Sequence, residues 1–124
     1  MSTESAEGIR VVVIARPVLG RRIANALRAV GYEVYRTPSA IDVAELHDRI
    51  RPDLAIVETE LFDHDGVGAA LELRAESISL PVLLVGDATG DPRAADFPIL
   101  SSVESGCLVA TVAHLLSSMR RPLR

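Results

Sequence analysis

An apolar run that ends abruptly in acidic residues, a loop and a glycine constrains the fold of this chain more than any other feature. The run is residues 54–57 (LAIV), inside the sequence PDLAIVETELFDHDG of residues 52–66. Because the run is continuous rather than alternating, it is typical of a parallel strand covered by helices on both faces. Glu58 follows at the carboxyl end of this predicted strand, where open α/β sheets build their sites. The stretch therefore predicts a central strand that delivers a carboxylate to a site, followed by a loop in which Gly66 adopts a positive φ.

Segments typical of strands and helices alternate along the rest of the chain, which predicts a doubly wound parallel sheet. The other predicted strands are residues 10–15, 33–37, 81–86 and 97–100, of which 33–37 alternates and is typical of a sheet edge. A first helix should end at Gly31, and Ser39 with Asp42 resembles a capping box for a second. A third should run from Gly66 to Glu76 and a last one over 104–119. Residues 87–96 are too polar, and too broken by glycine and proline, for more than one helical turn.

Apolar residues at helical spacing predict which helix faces are buried. The predicted buried positions are Leu19, Ile23, Leu27 and Val30 in the first helix, Val43, Leu46 and Ile50 in the second, Val67, Ala70, Leu71 and Leu73 in the third, and Leu108, Val112, Leu115 and Met119 in the last. Cys107 adjoins Leu108 and Val109, so we expect a buried structural thiol rather than a reactive one.

Composition excludes several classes of function. With 124 residues and 48% hydrophobic content, we expect one domain over residues 9–119, a disordered segment 1–8 and a basic tail 120–124. A net charge of −4 and 3% aromatic residues argue against nucleic-acid binding. No apolar run reaches the length of a membrane span, and the polar start is unlike a secretion signal, so a cytoplasmic protein is expected. The absence of lysine excludes a P-loop or Schiff-base chemistry.

The order of motifs resembles that of bacterial response-regulator receiver domains over residues 9–119. PDLAIVETELFDHDG is similar to the family's PDLxLLDxxLPxxDG, RVVVIARP to ILIVDDEP, LPVLLVGD to the fourth strand, and SSVESGCLVATV to KPFxxxELLxRI. The resemblance implies a flavodoxin-like sheet of five parallel strands in the order 2-1-3-4-5 with flanking helices. It also places Glu58 on the position of the aspartate that accepts the phosphoryl group.

The departures from the family pattern lie at its functional positions. The two acids that hold Mg²⁺ in the family fall on Ile14 and Ala15, the switch Thr/Ser on Gly86, and the Lys-Pro pair on Ser101 and Ser102. Mg²⁺ needs oxygen ligands, and phosphoryl transfer needs metal and cation clamps. This pattern predicts a pseudo-receiver without metal or cofactor and without enzymatic activity, in which the helix between the fourth and fifth strands is shortened or lost.

Burial beside Ile14 and Ala15 should favour the protonated form of Glu58, unless Arg16 or backbone N–H groups reach it. Glu58→Gln should then be tolerated. His64 between Asp63 and Asp65 is more typical of a solvated turn than of a metal site, and His47 and His114 should lie on helix surfaces or boundaries.

Three functions remain open from the sequence. The first is a protein interaction module independent of phosphorylation, whose partner is another signalling protein and whose oligomeric state is unknown. Its docking surface would be Arg21, Arg22 and Arg28 on the first helix, facing an acidic partner. The second is a small-ligand sensor in which Ile14, Ala15 and Gly86 open an apolar cleft beside Glu58. The third is a residual phospho-switch with Glu58 as acceptor.

Overall fold

A computed structural model describes residues 8–40, 43–61 and 65–120 of the chain. Its strands are β1 (Arg10–Ile14), β2 (Glu33–Thr37), β3 (Leu54–Glu58), β4 (Val82–Val85) and β5 (Ile99–Leu100). Its helices are α1 (Pro17–Ala29), α2 (Val43–Ile50), α3 (Gly66–Glu76) and α4 (Ser105–Arg120), and a single 3₁₀ turn, Pro92–Ala94, lies between β4 and β5.

The five strands form one parallel sheet in the order β2-β1-β3-β4-β5, which confirms the predicted flavodoxin-like fold class. Every residue of β3 is buried, as expected of a strand at the centre of a sheet covered on both faces. The helix between the fourth and fifth strands is reduced to the 3₁₀ turn, as the composition of residues 87–96 predicts. The short β5 and the alternating β2 form the two sheet edges.

Two apolar cores lie on opposite faces of the sheet. Side chains of α2 and α3 contribute to one core, together with Ala94 and Phe97 from the β4–β5 connection. Side chains of α1 and α4 contribute to the other. Alternate residues of β1, β3 and β4 point into each core, so the sheet is sealed on both sides. The remaining place for a site is the edge at which the strands end in loops.

Several predicted buried positions are wrong. Val30 is 48% exposed because it caps the end of α1, one residue beyond the last helical turn. Leu71 is 39% exposed, since the 100° step from Ala70 turns it away from the sheet, while Ala69 is buried in its place. In α4, Leu116 is buried and Leu115 only partly so. Cys107 is exposed, because it lies in the first turn of α4 before the apolar face begins at Leu108.

Other predictions concern segment ends and histidines. Gly31 takes a φ of 105° just after α1, as expected of a helix C-terminus. His47 is more buried than a surface position, with 13% of its side chain exposed, whereas His114 is exposed. The predicted capping box at Ser39 and Asp42 includes Asp42, which lies outside the described residues, as do Asp63, His64 and the side chain of Met119. Of the predicted terminal segments 1–8 and 120–124, residues 1–7 and 121–124 lie outside the described residues, and Arg120 is the last residue of α4.

Candidate functional site

Glu58 lies at the end of the central strand, with its carboxylate enclosed by Arg16. Only 6% of the residue is exposed. The backbone N–H of Arg16 donates to Oε1 over 2.8 Å, and the guanidinium donates to Oε2 from Nη2 over 2.6 Å and from Nε over 3.1 Å. Charge-assisted bonds of this kind are roughly twice as strong as neutral ones. The carboxylate is therefore paired with a cation from its own chain.

The register of the sheet explains this contact. β1 and β3 are neighbours, with Ile14 opposite Val57, so the residues that follow them meet at the same end of the sheet. Arg16 has extended backbone at the start of α1, which leaves its N–H directed at Glu58. The Arg16 side chain is 40% exposed, and the hydrogen bond from its guanidinium to Glu58 raises the pKa of Arg16 above its ordinary value. The sequence allows one exception to the expectation for Glu58, namely that Arg16 or backbone N–H groups reach the carboxylate. In the structure, both the side chain and the backbone N–H of Arg16 do so.

The positions of the family's metal-binding acids form an apolar floor beside this pair. Ile14 is fully buried and Ala15 is 3% exposed. Mg²⁺ takes an octahedral set of oxygen ligands, which neither residue can supply. Both Glu58 oxygens already accept hydrogen bonds from Arg16. Among the described residues, no group of three or more acidic, histidine or cysteine side chains could hold a metal ion. The residues present do not fit a magnesium centre of the kind the fold family uses.

A threonine directly after β3 occupies the space next to Gly86. Gly86 has a φ of 126°, a conformation that side chains strongly disfavour. A Cβ added there would overlap the hydroxyl of Thr59, which is itself buried. The space beside Gly86, which was expected to open an apolar cleft, is therefore filled by the side chain of Thr59. The sequence reasoning did not identify Thr59, although a residue directly after Glu58 on a central strand must approach the end of β4.

Gly66 serves close packing rather than an unusual backbone angle. It is not among the glycines with positive φ, which corrects the sequence-based expectation. A Cβ at this position would overlap the backbone carbonyl of Glu58, so the chain can return against the end of β3 only through glycine. Asp65 then begins α3 by accepting a hydrogen bond from the N–H of Val67. This geometry ties the start of α3 to the end of the central strand.

Residues 87–97, here called the strap, are fastened to α3 by two arginines. Arg93 contacts Asp65 over 2.6 Å and Asp91 over 2.7 Å, and these contacts lower the pKa of both carboxyl groups below the usual range. The guanidinium of Arg74 lies 4.5 Å from the centre of the buried Phe97 ring, a cation–π arrangement. Sequence reasoning missed Arg93, although Asp-Pro-Arg at the start of a helical turn is a recognisable capping pattern. Ser101 and Ser102 follow β5 and are exposed.

The predicted arginine surface of α1 divides into two parts. Arg21, Arg22 and Arg28 are all exposed positions. Arg28 donates to the carbonyl oxygen of Val34 in β2 over 2.8 Å, so its charge lies on the β2 side. Arg21 precedes Arg28 by seven residues and shares that side, whereas Arg22 is rotated from Arg21 by 100° toward open solvent.

In the described ranges, no helix is long and apolar enough to cross a membrane.

Comparison with known proteins identifies the fold. No protein-family model matches the chain. A putative response regulator from Chloroflexus aurantiacus aligns with a TM-score of 0.77 at 23% identity, covering 88% of this chain and 98% of that one. A CheY-like receiver domain protein from Methanospirillum hungatei aligns with a TM-score of 0.80 at 16% identity, covering 91% and 97%.

A curated protein also shows sequence similarity. The probable transcriptional regulatory protein TcrX of Mycobacterium tuberculosis is 32% identical over 75 residues, which is 60% of this chain. The match spans only 32% of the length of TcrX. Together with the strand order, these similarities establish the class: this chain has the fold of response-regulator receiver domains.

Proposed function

We propose that this chain is a pseudo-receiver: a signalling module that binds a partner protein without first accepting a phosphoryl group. The observation that carries the proposal is the contact between Arg16 and Glu58, in which backbone and guanidinium donors occupy both carboxylate oxygens. A nucleophile must direct an oxygen lone pair at the incoming phosphorus, and here three of the roughly four lone-pair sites already accept hydrogen bonds from Arg16. The apolar floor of Ile14 and Ala15 supports the same reading.

The small-ligand alternative receives less support. It requires an open cleft over Ile14, Ala15 and Gly86, but the first two are buried and Thr59 covers the third. The phospho-switch alternative requires Arg16 to withdraw from Glu58, and nothing in the Ile14–Ala15 floor replaces the charge that would be removed. Similarity to TcrX, which is described as a probable transcriptional regulatory protein, favours a regulatory role, which we extend to this chain only as part of the proposal.

Phosphoryl uptake is the direct test. The protein is incubated with Mg²⁺ and acetyl phosphate and followed by intact mass, beside a receiver domain that carries the usual aspartate and acids. We expect an adduct on the control and no change in the mass of this chain. A stable gain of one phosphoryl group that disappears in Glu58→Gln would refute the proposal and establish the phospho-switch.

The partner would dock on α1, where Arg21 and Arg22 are exposed and no acidic residue occurs between Pro17 and Ala29. Arginine suits an acidic partner because its planar fork pairs with a carboxylate through two parallel hydrogen bonds. Arg28 contributes less to docking in this proposal than the sequence alone indicates, because its guanidinium contacts the backbone of β2.

A further inference from the structure

A groove of about 240 Å³ lies between the start of α1 and the end of β2. Its walls are Ala15, Pro17, Gly20, Arg36, Thr37 and Pro38. It differs from the cleft predicted beside Glu58, because it opens on the β2 side of Ala15 rather than toward β4. Two of its walls are prolines, whose fixed φ limits backbone movement. The groove is thus largely preformed rather than dependent on a loop closing over it.

Its size and lining suit one aliphatic side chain. Gly20 provides the floor, since any larger residue would project toward Ala15 and the aliphatic stem of Arg36, both within 4 Å of a Cβ placed there. Apolar atoms of the two prolines and Ala15 can remove a leucine-sized group from water. A single apolar side chain in a concave pocket is the usual form of an interface anchor.

The charges at the rim define what accompanies that side chain. Arg36 lines the groove and is exposed. Arg21 is not a wall of the groove, but it follows the wall residue Gly20 directly and lies one helical turn after the wall residue Pro17, so its exposed side chain adds positive charge near the groove. α1 contains no acid to neutralise these charges. In a chain with a net charge of −4, this local excess of arginine favours a negatively charged occupant.

We propose that this groove binds an acidic segment of a partner protein, with one aliphatic side chain inserted against Gly20 and flanking carboxylates paired with Arg36 and Arg21. The inference deepens the proposed function by giving the α1 surface an anchor point, and it rests on that function. The occupant is a short acidic peptide segment because the groove accommodates one side chain and the nearby arginines attract carboxylates.

The test uses the capped pentapeptide EELEE as probe and follows backbone amide shifts by NMR at low ionic strength. We expect saturable shifts centred on Ala15, Gly20 and Thr37, with binding weakened roughly tenfold for the peptide EEAEE, because most of the leucine burial is lost. Equal affinity for the two peptides, or shifts centred on Arg22, would overturn the inference.

Variants separate the groove from the wider α1 surface. Gly20→Leu fills the groove and should abolish the difference between EELEE and EEAEE. Arg36→Glu leaves the floor intact and should weaken both peptides; it also serves if Gly20→Leu does not fold. Arg49→Glu, on α2 at the opposite face of the sheet, should leave EELEE binding within about twofold. If a partner is later found to bind α1 with the same affinity in wild type and Gly20→Leu, the groove assignment fails while the proposed function stands.

Discussion

At the scale of single residues, the pair of Glu58 and Arg16 reverses an expectation drawn from the sequence. Burial alone would make the Glu58 charge unfavourable and Glu58→Gln harmless. Three donors of Arg16 contact the two oxygens of Glu58, so a carboxylate at this position is a better hydrogen-bond acceptor for Arg16 than a glutamine amide would be. Glutamine can still accept from the backbone N–H of Arg16, but its amide group places N–H atoms against the guanidinium or leaves one donor without an acceptor.

We therefore expect Glu58→Gln to lower the free energy of unfolding by about 1–2 kcal/mol, as for loss of a hydrogen bond to a charged group. Arg16 remains partly hydrated, so the loss should be below that of a fully buried pair. Urea denaturation measures the change. Glu72→Gln is a matched control, because Glu72 is an exposed acid on α3 that does not contact Arg16. Equal stability of wild type and Glu58→Gln would show that the pair contributes nothing.

Gly86 and Thr59 provide a second prediction at this scale. Gly86→Ala combines an unfavourable φ with overlap of the Thr59 hydroxyl, and should destabilise the fold by about 3 kcal/mol. Adding Thr59→Ala removes the overlap but not the backbone strain. The double variant should thus be more stable than the sum of the two single changes predicts, which a thermal-denaturation cycle measures. Additive effects would mean that the two side chains do not compete for the same space.

At the scale of elements, the strap takes the place of a helix and depends on charge. The Arg93 guanidinium contacts carboxylates of Asp65 and Asp91, each of which has a lowered pKa. A carboxyl group whose folded pKa is below its unfolded value contributes stability above the ordinary value of 3.8 and loses it as pH falls through the folded value. The strap should therefore loosen in acid.

We expect the stability of the wild type to fall as pH is lowered below about 4, and to fall less steeply in Arg93→Met. Both proteins should have the same pH dependence above pH 5, where the two carboxyl groups are ionised. Arg49→Met is the control, since Arg49 is exposed in the last turn of α2, away from the strap. A pH profile unchanged by Arg93→Met would mean that Arg93 does not hold the strap. Denaturation at a series of pH values supplies the measurement.

The elements themselves could be predicted from sequence better than their contacts. The continuous run of β3, the glycine after α1 and the broken composition of the strap are local signals, and each gave the correct element. The capture of Glu58 by Arg16, the overlap of Thr59 with Gly86 and the bridge from Arg93 to Asp65 join residues distant in the chain. Such contacts depend on strand register and side-chain direction, which no local pattern encodes.

At the scale of the whole molecule, charge is divided between the two faces of the sheet. Neither α1 nor α4 contains an acidic residue. The other face carries most of the acids found in helices and the strap, which are Glu45, Asp48, Glu72, Glu76, Asp87, Asp91 and Asp96. A protein that is acidic overall thus presents one face whose two helices carry no negative side chain, and an acidic partner would approach that face.

This arrangement predicts how binding to a partner should respond to salt and mutation. The double variant Arg21→Glu and Arg22→Glu should fold normally, since both side chains are exposed, but should bind a partner more slowly and with less dependence on ionic strength. Stopped-flow association at several salt concentrations measures both effects. Glu72→Lys and Glu76→Lys together, on the opposite face, form the control. An unchanged association rate for the arginine variant would place the partner elsewhere, with the strap as the next candidate.

Arg28 has a role outside partner binding. β2 is an edge strand of the sheet. Its residues alternate, so the backbone N–H and C=O groups of Glu33 and Tyr35 point toward β1, whereas those of Val34 point away from the sheet. An open row of such groups is a template on which a strand of another chain can grow, and this is a common origin of aggregates. The guanidinium of Arg28 covers the Val34 carbonyl oxygen, and the charged side chains of Glu33 and Arg36 flank it. The same helix that would attract a partner thereby protects the sheet from unwanted polymerisation.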